Sequence, residues 1–251
     1  MSDYDRGFPR AVPAGAADMA VDAGLRGFML GVYNKVALGL VLSAVLAYLT
    51  ADYAPVRDLL YTTTPDGRLG FTTLGTVIRF APLLVILGAM FGMRNPSPRA
   101  AAIYYWTIVS LIGAGLGVWV LAYTGVSLAT TFVVTAAAFG GLSLYGYATK
   151  KDLTGFGSFL IVGLIGIVIA MIVNMFVHSA MIQFVISIIG VLIFAGLIAF
   201  DTQKLKMTYY ALGGNQAAMS VATSYGALSL YLDFLNLFQF LLMLFGGGGR
   251  R

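Results

Sequence analysis

Ser224-Tyr-Gly-Ala-Leu-Ser-Leu-Tyr-Leu-Asp233-Phe-Leu-Asn236-Leu-Phe-Gln239-Phe-Leu-Leu-Met-Leu-Phe245 is an apolar run of membrane length interrupted by one carboxylate and two amides. Asp233, Asn236 and Gln239 stand three apart, and residues three or four apart share a helical face. The spacing predicts a polar stripe, with Leu232, Leu235, Leu237 and Leu241 covering much of the remaining circumference. An aspartate at the centre of a spanning helix costs about 2.5 to 3.5 kcal/mol on insertion scales. The stripe is therefore expected to face a neighbouring helix or a water-filled cavity, where Asp233 finds a partner.

The whole chain shares this character. Of its 251 residues 59% are hydrophobic and 10% charged, where soluble domains carry roughly 25% charged residues. Six further apolar runs precede the last one, at about 30–50, 73–93, 101–123, 127–148, 156–177 and 180–206, with the last at about 224–246. Each is long enough to cross a core of about 30 Å at 1.5 Å per residue, and none shows the alternation of an outer-membrane barrel strand. The fold class read from this is an all-α integral membrane protein, a seven-transmembrane helix bundle over 28–246, between a flexible tail at 1–27 and a short Gly/Arg tail at 247–251. The connections are short apart from 51–72 and 207–223, which leaves no room for a soluble catalytic domain.

Composition excludes several chemistries. There is no Cys and one His, so disulfides, thiolate nucleophiles and His-rich metal centres are ruled out. The net charge of +5 reports topology rather than nucleic acid. With the N-terminus in the cytoplasm, Arg6, Arg10, Arg26, Lys35, Arg94, Arg99, Lys150, Lys151, Lys204 and Lys206 all fall inside, as the positive-inside rule requires. Arg57 and Arg68 lie outside among acidic residues, and Arg250 and Arg251 are the point against this orientation. Lys35, near the start of the first run, is expected to snorkel to the interface.

Counting residues from the span ends places Asp201 and Asp233 at similar depth, on the descending sixth and ascending seventh helices. Two carboxylates close enough to share a proton cannot both ionise readily, which suits a proton sensor. Arg94 closes the second span on the same side, and its guanidinium is a candidate latch that pairs with the ionised aspartates and releases on protonation. Arg79 interrupts the second span; it is a candidate for a pathway lining or an interfacial anchor. Asn236 and Gln239 are candidate supporting groups.

These residues resemble a known family. Ser229-Leu-Tyr-Leu-Asp233-Phe-Leu-Asn236-Leu-Phe238 is similar to the last-helix signature of the Bax inhibitor-1 family, the transmembrane Bax-inhibitor-motif proteins. Phe200-Asp201-Thr202-Gln203-Lys204 resembles the segment closing its sixth helix, and Thr149-Lys150-Lys151-Asp152-Leu153-Thr154 resembles its fourth-to-fifth connection. The resemblance implies a last helix that lies centrally, and a calcium leak controlled by pH, with Asp201 and Asp233 as sensor and Arg94 as latch. The Arg- and Ala-rich sequence with short loops points to a bacterial member in a cytoplasmic (inner) membrane, and the expected partners are the lipid bilayer, calcium and protons.

No enzyme, resident cofactor or nucleic-acid partner is expected. Calcium enters as transported ion, held weakly by Asp201 and Asp233, since calcium takes six to eight oxygen ligands and two carboxylates supply few. The alternative reading is a regulatory protein that binds a membrane protease or another membrane complex. An intramembrane aspartyl protease fits poorly, because neither aspartate follows a glycine.

Overall fold

The computed structural model describes residues 14–64 and 69–246, with side chains from residue 23 onward. Its elements in order are α1 (Ala14–Asp52), α2 (Ala54–Leu60), β1 (Tyr61–Thr63), β2 (Leu69–Phe71), α3 (Thr73–Gly92), α4 (Pro98–Gly115), α5 (Gly117–Ala122), α6 (Gly125–Ala148), α7 (Thr154–Val177), α8 (Ala180–Ala211) and α9 (Gln216–Phe245). Seven segments among the described residues are long and apolar enough to cross a bilayer, with α4 and α5 together making the third. The protein is an all-α integral membrane bundle.

Three expected boundaries move. The tail expected at 1–27 is helical from Ala14, while 1–13 and the short tail at 247–251 lie outside the described residues. Leu25, Phe28, Met29, Val32 and Val36 recur at helical spacing and are buried, so α1 enters the bundle before the continuous apolar run begins. The long connection at 51–72 folds into α2 and an antiparallel hairpin pairing Tyr61 with Phe71 and Thr63 with Leu69. Thr72 closes that hairpin onto α3: its hydroxyl donates to the Leu59 carbonyl at 2.5 Å and accepts from the Gly75 amide at 3.0 Å, which makes it the N-cap. Third, α8 and α9 extend far past the apolar runs and leave only 212–215 between them. Gly213 and Gly214 take positive φ there (54° and 85°), which a side chain disfavours.

Of the most apolar window of α9, 61% is buried, against 11% for α3. The last helix is central and packs on α1, α4, α6 and α8, whereas α3 rests mainly on α4 and α2. The α6–α8 contact is close because Gly146 lies on the backbone of Ala199, where a Cβ would come within 2.9 Å of that residue's carbonyl carbon. One end of the bundle gathers Arg94 and Arg99 in the α3–α4 turn, Lys150 and Lys151 after α6, and Lys204 and Lys206 late in α8; the hairpin marks the other end.

Candidate functional site

The antiparallel α8–α9 contact brings the two expected aspartates together. Leu205 packs at Gly226 and Phe240 at Gly190, so residue numbers fall along α9 as they rise along α8. That register sets Asp201 opposite Ser229, whose hydroxyl donates to Asp201 Oδ2. Ser229 is one turn before Asp233, hence on the same face, and Asp233 lies within electrostatic reach of Asp201. Asp201 is half-buried, and Asp233 is only 6% exposed.

Asp233 Oδ2 has no hydrogen-bond partner, and the same holds for two other buried oxygens on helices packed against each other, Ser143 Oγ on α6 and Thr202 Oγ1 on α8. Native interiors leave few buried polar atoms unpaired. The three lie on helices that pack against one another, α6, α8 and α9.

The expected stripe does not hold as one face. Three residues turn a helix by about 300°, so two such steps drift about 120° round the axis. Asp233 is buried, the Asn236 amide donates to the Leu232 carbonyl of its own helix at 2.8 Å, and Gln239 is half-buried.

The two arginines lie toward opposite ends of α3. Arg94 is exposed in the turn after α3, and among the described residues the one ion pair is Arg57 with Asp58. The structure does not bring Arg94 to Asp201 or Asp233, because α3 packs away from α8 and α9. Arg79 stacks its guanidinium 4.9 Å from the Phe71 ring centre and 5.9 Å from that of Phe80. It is thereby tied to the hairpin on the exposed side of α3.

A second polar face of α9 was missed in the sequence. Lys35 does not snorkel; its ammonium donates to Ser224 Oγ at 2.6 Å and lies 5.9 Å from the centre of the Tyr105 ring, whose hydroxyl donates to the Lys35 carbonyl at 2.6 Å. Two turns along α9, the hydroxyls of Tyr231 and Ser43 are 2.6 Å apart, with Ser43 donating on to the Val109 carbonyl at 3.3 Å. The available signal was Ser224 and Tyr231 at a spacing of seven, two turns on one face.

The two loop motifs are fasteners. Gln203 accepts from the Leu153 amide at 2.8 Å and donates to the Lys151 carbonyl at 2.7 Å, while Lys206 donates to the Tyr147 carbonyl at 3.0 Å. Asp152 accepts from the Thr154 amide at 2.9 Å, and its hydrogen bonds to Thr154 hold this exposed carboxyl below its ordinary value. The turn after α6 is thus locked to the end of α8 that carries Asp201.

No group of three or more His, Asp or Glu side chains suited to a metal occurs among the described residues. Asp201 and Asp233 alone offer two carboxylates, fewer than a tight calcium site uses.

The profile of the family described as inhibitor of apoptosis-promoting Bax1 matches residues 25–250. A protein of Caulobacter vibrioides is 62% identical over 98% of this chain and 99% of its own length. One of Rickettsia prowazekii is 43% identical over 90% and 91%. The inner membrane protein YbhL of Escherichia coli is 40% identical over 89% of this chain and 93% of its own. The chain belongs to the Bax inhibitor-1 family.

Proposed function

We propose that this bacterial-type family member is a pH-sensitive cation leak pathway, with calcium as the carried ion, gated where Asp201 and Asp233 meet in the middle of the bundle. One observation carries the reading: a carboxylate buried on the central helix has a second carboxylate beside it. Like charges in a low-dielectric seam do not both persist, so a proton or a cation is what this pair is suited to hold. Gain or loss of the proton changes the charge in the seam and with it the packing of the helices around α9.

Arg94 belongs to a second arrangement in this reading. To reach the aspartates α3 must leave α4 and move toward α8 and α9, and only 11% of its most apolar window is buried. The ends of the bundle fit an N-terminus in the cytoplasm, with Arg94, Arg99, Lys150, Lys151, Lys204 and Lys206 inside. The inner membrane is the expected location, the one named for the E. coli relative.

The test is calcium flux into proteoliposomes of the purified chain at about pH 6 and pH 8, on either side of neutrality. The unaltered chain is expected to carry calcium at rates that differ between the two, and Asp201→Asn and Asp233→Asn each to remove that difference. A correctly folded preparation with no flux above empty liposomes refutes the channel. It leaves the second reading, regulation of a membrane protease or another membrane complex, with the aspartates as helix glue.

A further inference from the structure

Between α1 and α6 the bundle does not close. Leu40, Ala44, Ala47, Leu128 and Ala129 wall a groove of about 350 Å³ whose floor is the α9 residues Phe234, Leu235 and Phe238. The floor is buried, while the rim residues Tyr48, Phe132 and Val133 are 56%, 43% and 66% exposed on the membrane-facing side. Small alanines make the groove: larger residues at 44, 47 and 129 would fill it.

The groove is not apolar throughout. Tyr48, Val120, Gly125 and Leu128 also line an adjoining hollow of about 220 Å³ toward the hairpin end, and that hollow adds Asp52 and Tyr123. Asp52 is the one carboxylate lining either part, neither part is lined by Lys, Arg or His, and Asp52 makes no ion pair among the described residues. An apolar slot ending in a carboxylate flanked by two tyrosines, at the end of a span, matches an amphiphile with an apolar tail and a cationic head; tyrosines favour that level of a bilayer.

We propose that this groove seats an acyl chain of a phospholipid with a primary ammonium headgroup, and that Asp52 receives that ammonium, whose N–H groups can donate to it as a quaternary ammonium cannot. The chain lies along α9 against Phe234 and Phe238, within the size range of ligand pockets. The assignment rests on the groove and its charge alone; neither the gate nor the orientation of the bundle enters it.

Trp119 lines the groove, its ring centre 5.5 Å from that of Phe238, and the chain has one other tryptophan, Trp106. A Trp106→Phe background therefore gives a single reporter. The protein is reconstituted in a neutral phosphatidylcholine matrix with rising fractions of phosphatidylethanolamine or phosphatidylglycerol brominated in mid-chain, and Trp119 quenching is read. Half-maximal quenching is expected at a mole fraction roughly fivefold lower for the ethanolamine lipid, the scale of one exposed ion pair. Asp52→Asn is expected to make the two curves coincide, and Ala129→Phe, at an exposed rim position, to lower quenching by both lipids. Val126→Phe, 78% exposed outside the groove, serves as the folding control and should behave as unaltered. Coincident curves in the unaltered background overturn the proposal; so does a preference that survives Asp52→Asn, or quenching untouched by Ala129→Phe.

Discussion

The contact most specific to the site is Ser229 with Asp201, and its worth can be measured by a double-mutant cycle. Ser229→Ala removes the hydroxyl that donates to Asp201 Oδ2, and Asp201→Ala removes the acceptor. In water a hydrogen bond to a charged group contributes about 1.5–3 kcal/mol. Between membrane helices the measured average is about 0.6 and the maximum about 1.7 kcal/mol, because the unfolded chain in lipid also finds partners. Asp201 is half-buried rather than sealed, so the membrane range governs, and a coupling of about 0.6–1.7 kcal/mol is expected. The assay is denaturant unfolding in mixed micelles, followed by circular dichroism, of the parent, both single variants and the double. Asn236→Ala paired with Asp201→Ala is the control. Its amide bonds within its own helix at 2.8 Å, so that pair is expected to be additive within about 0.5 kcal/mol. A Ser229–Asp201 coupling no larger than that control would refute the reasoning that this bond joins α8 to α9.

Two other expectations concern packing and the charged end. Gly146→Leu drives a side chain into the Ala199 backbone, which cannot yield, so it should cost about 1–3 kcal/mol by overpacking or abolish folding; Gly141→Leu, with nothing within 4 Å of its Cβ position, should be tolerated, and comparing thermal melts of the two in micelles checks this. The Asp152 carboxyl is held below its ordinary value by Thr154, so its contribution to ordering the turn is present above the unfolded value and lost as pH falls through the lower folded one. Thr154 amide exchange, corrected for intrinsic rates, should therefore lose protection below about pH 4, and Asp152→Ala should remove that dependence along with the protection.

Depth was legible in the sequence and azimuth was not. Each span could be counted from its ends at about 1.5 Å per residue, which put Asp201 and Asp233 at one level, and the structure makes them neighbours. The same counting put Arg94 near that level, yet it lies exposed beyond α3, because counting does not say which helices touch. Lys35 was misjudged for the same reason: its distance from the helix end fits snorkelling, but Ser224 on a neighbouring helix takes its ammonium. The start of α1 was hidden by Asp18, Asp22 and Arg26, interleaved with Leu25, Phe28 and Met29, so no continuous apolar run was present although the helical period was.

The two polar faces of α9 explain its place in the bundle and restrict how a gate here can move. Ser224 and Asp233 are nine residues apart, two and a half turns, and so point to opposite sides of the helix. No rotation against lipid hides both, which leaves the centre as the stable position for such a sequence. Each face is also bonded, Ser224 and Tyr231 to α1 and Ser229 to α8. Turning α9 to re-aim Asp233 would break the bonds on the α1 side, with no polar replacement in view. A change of charge at the aspartates is therefore expressed most cheaply in the surrounding helices, and α3, held mainly by α4 and α2, can move without breaking either polar face of α9.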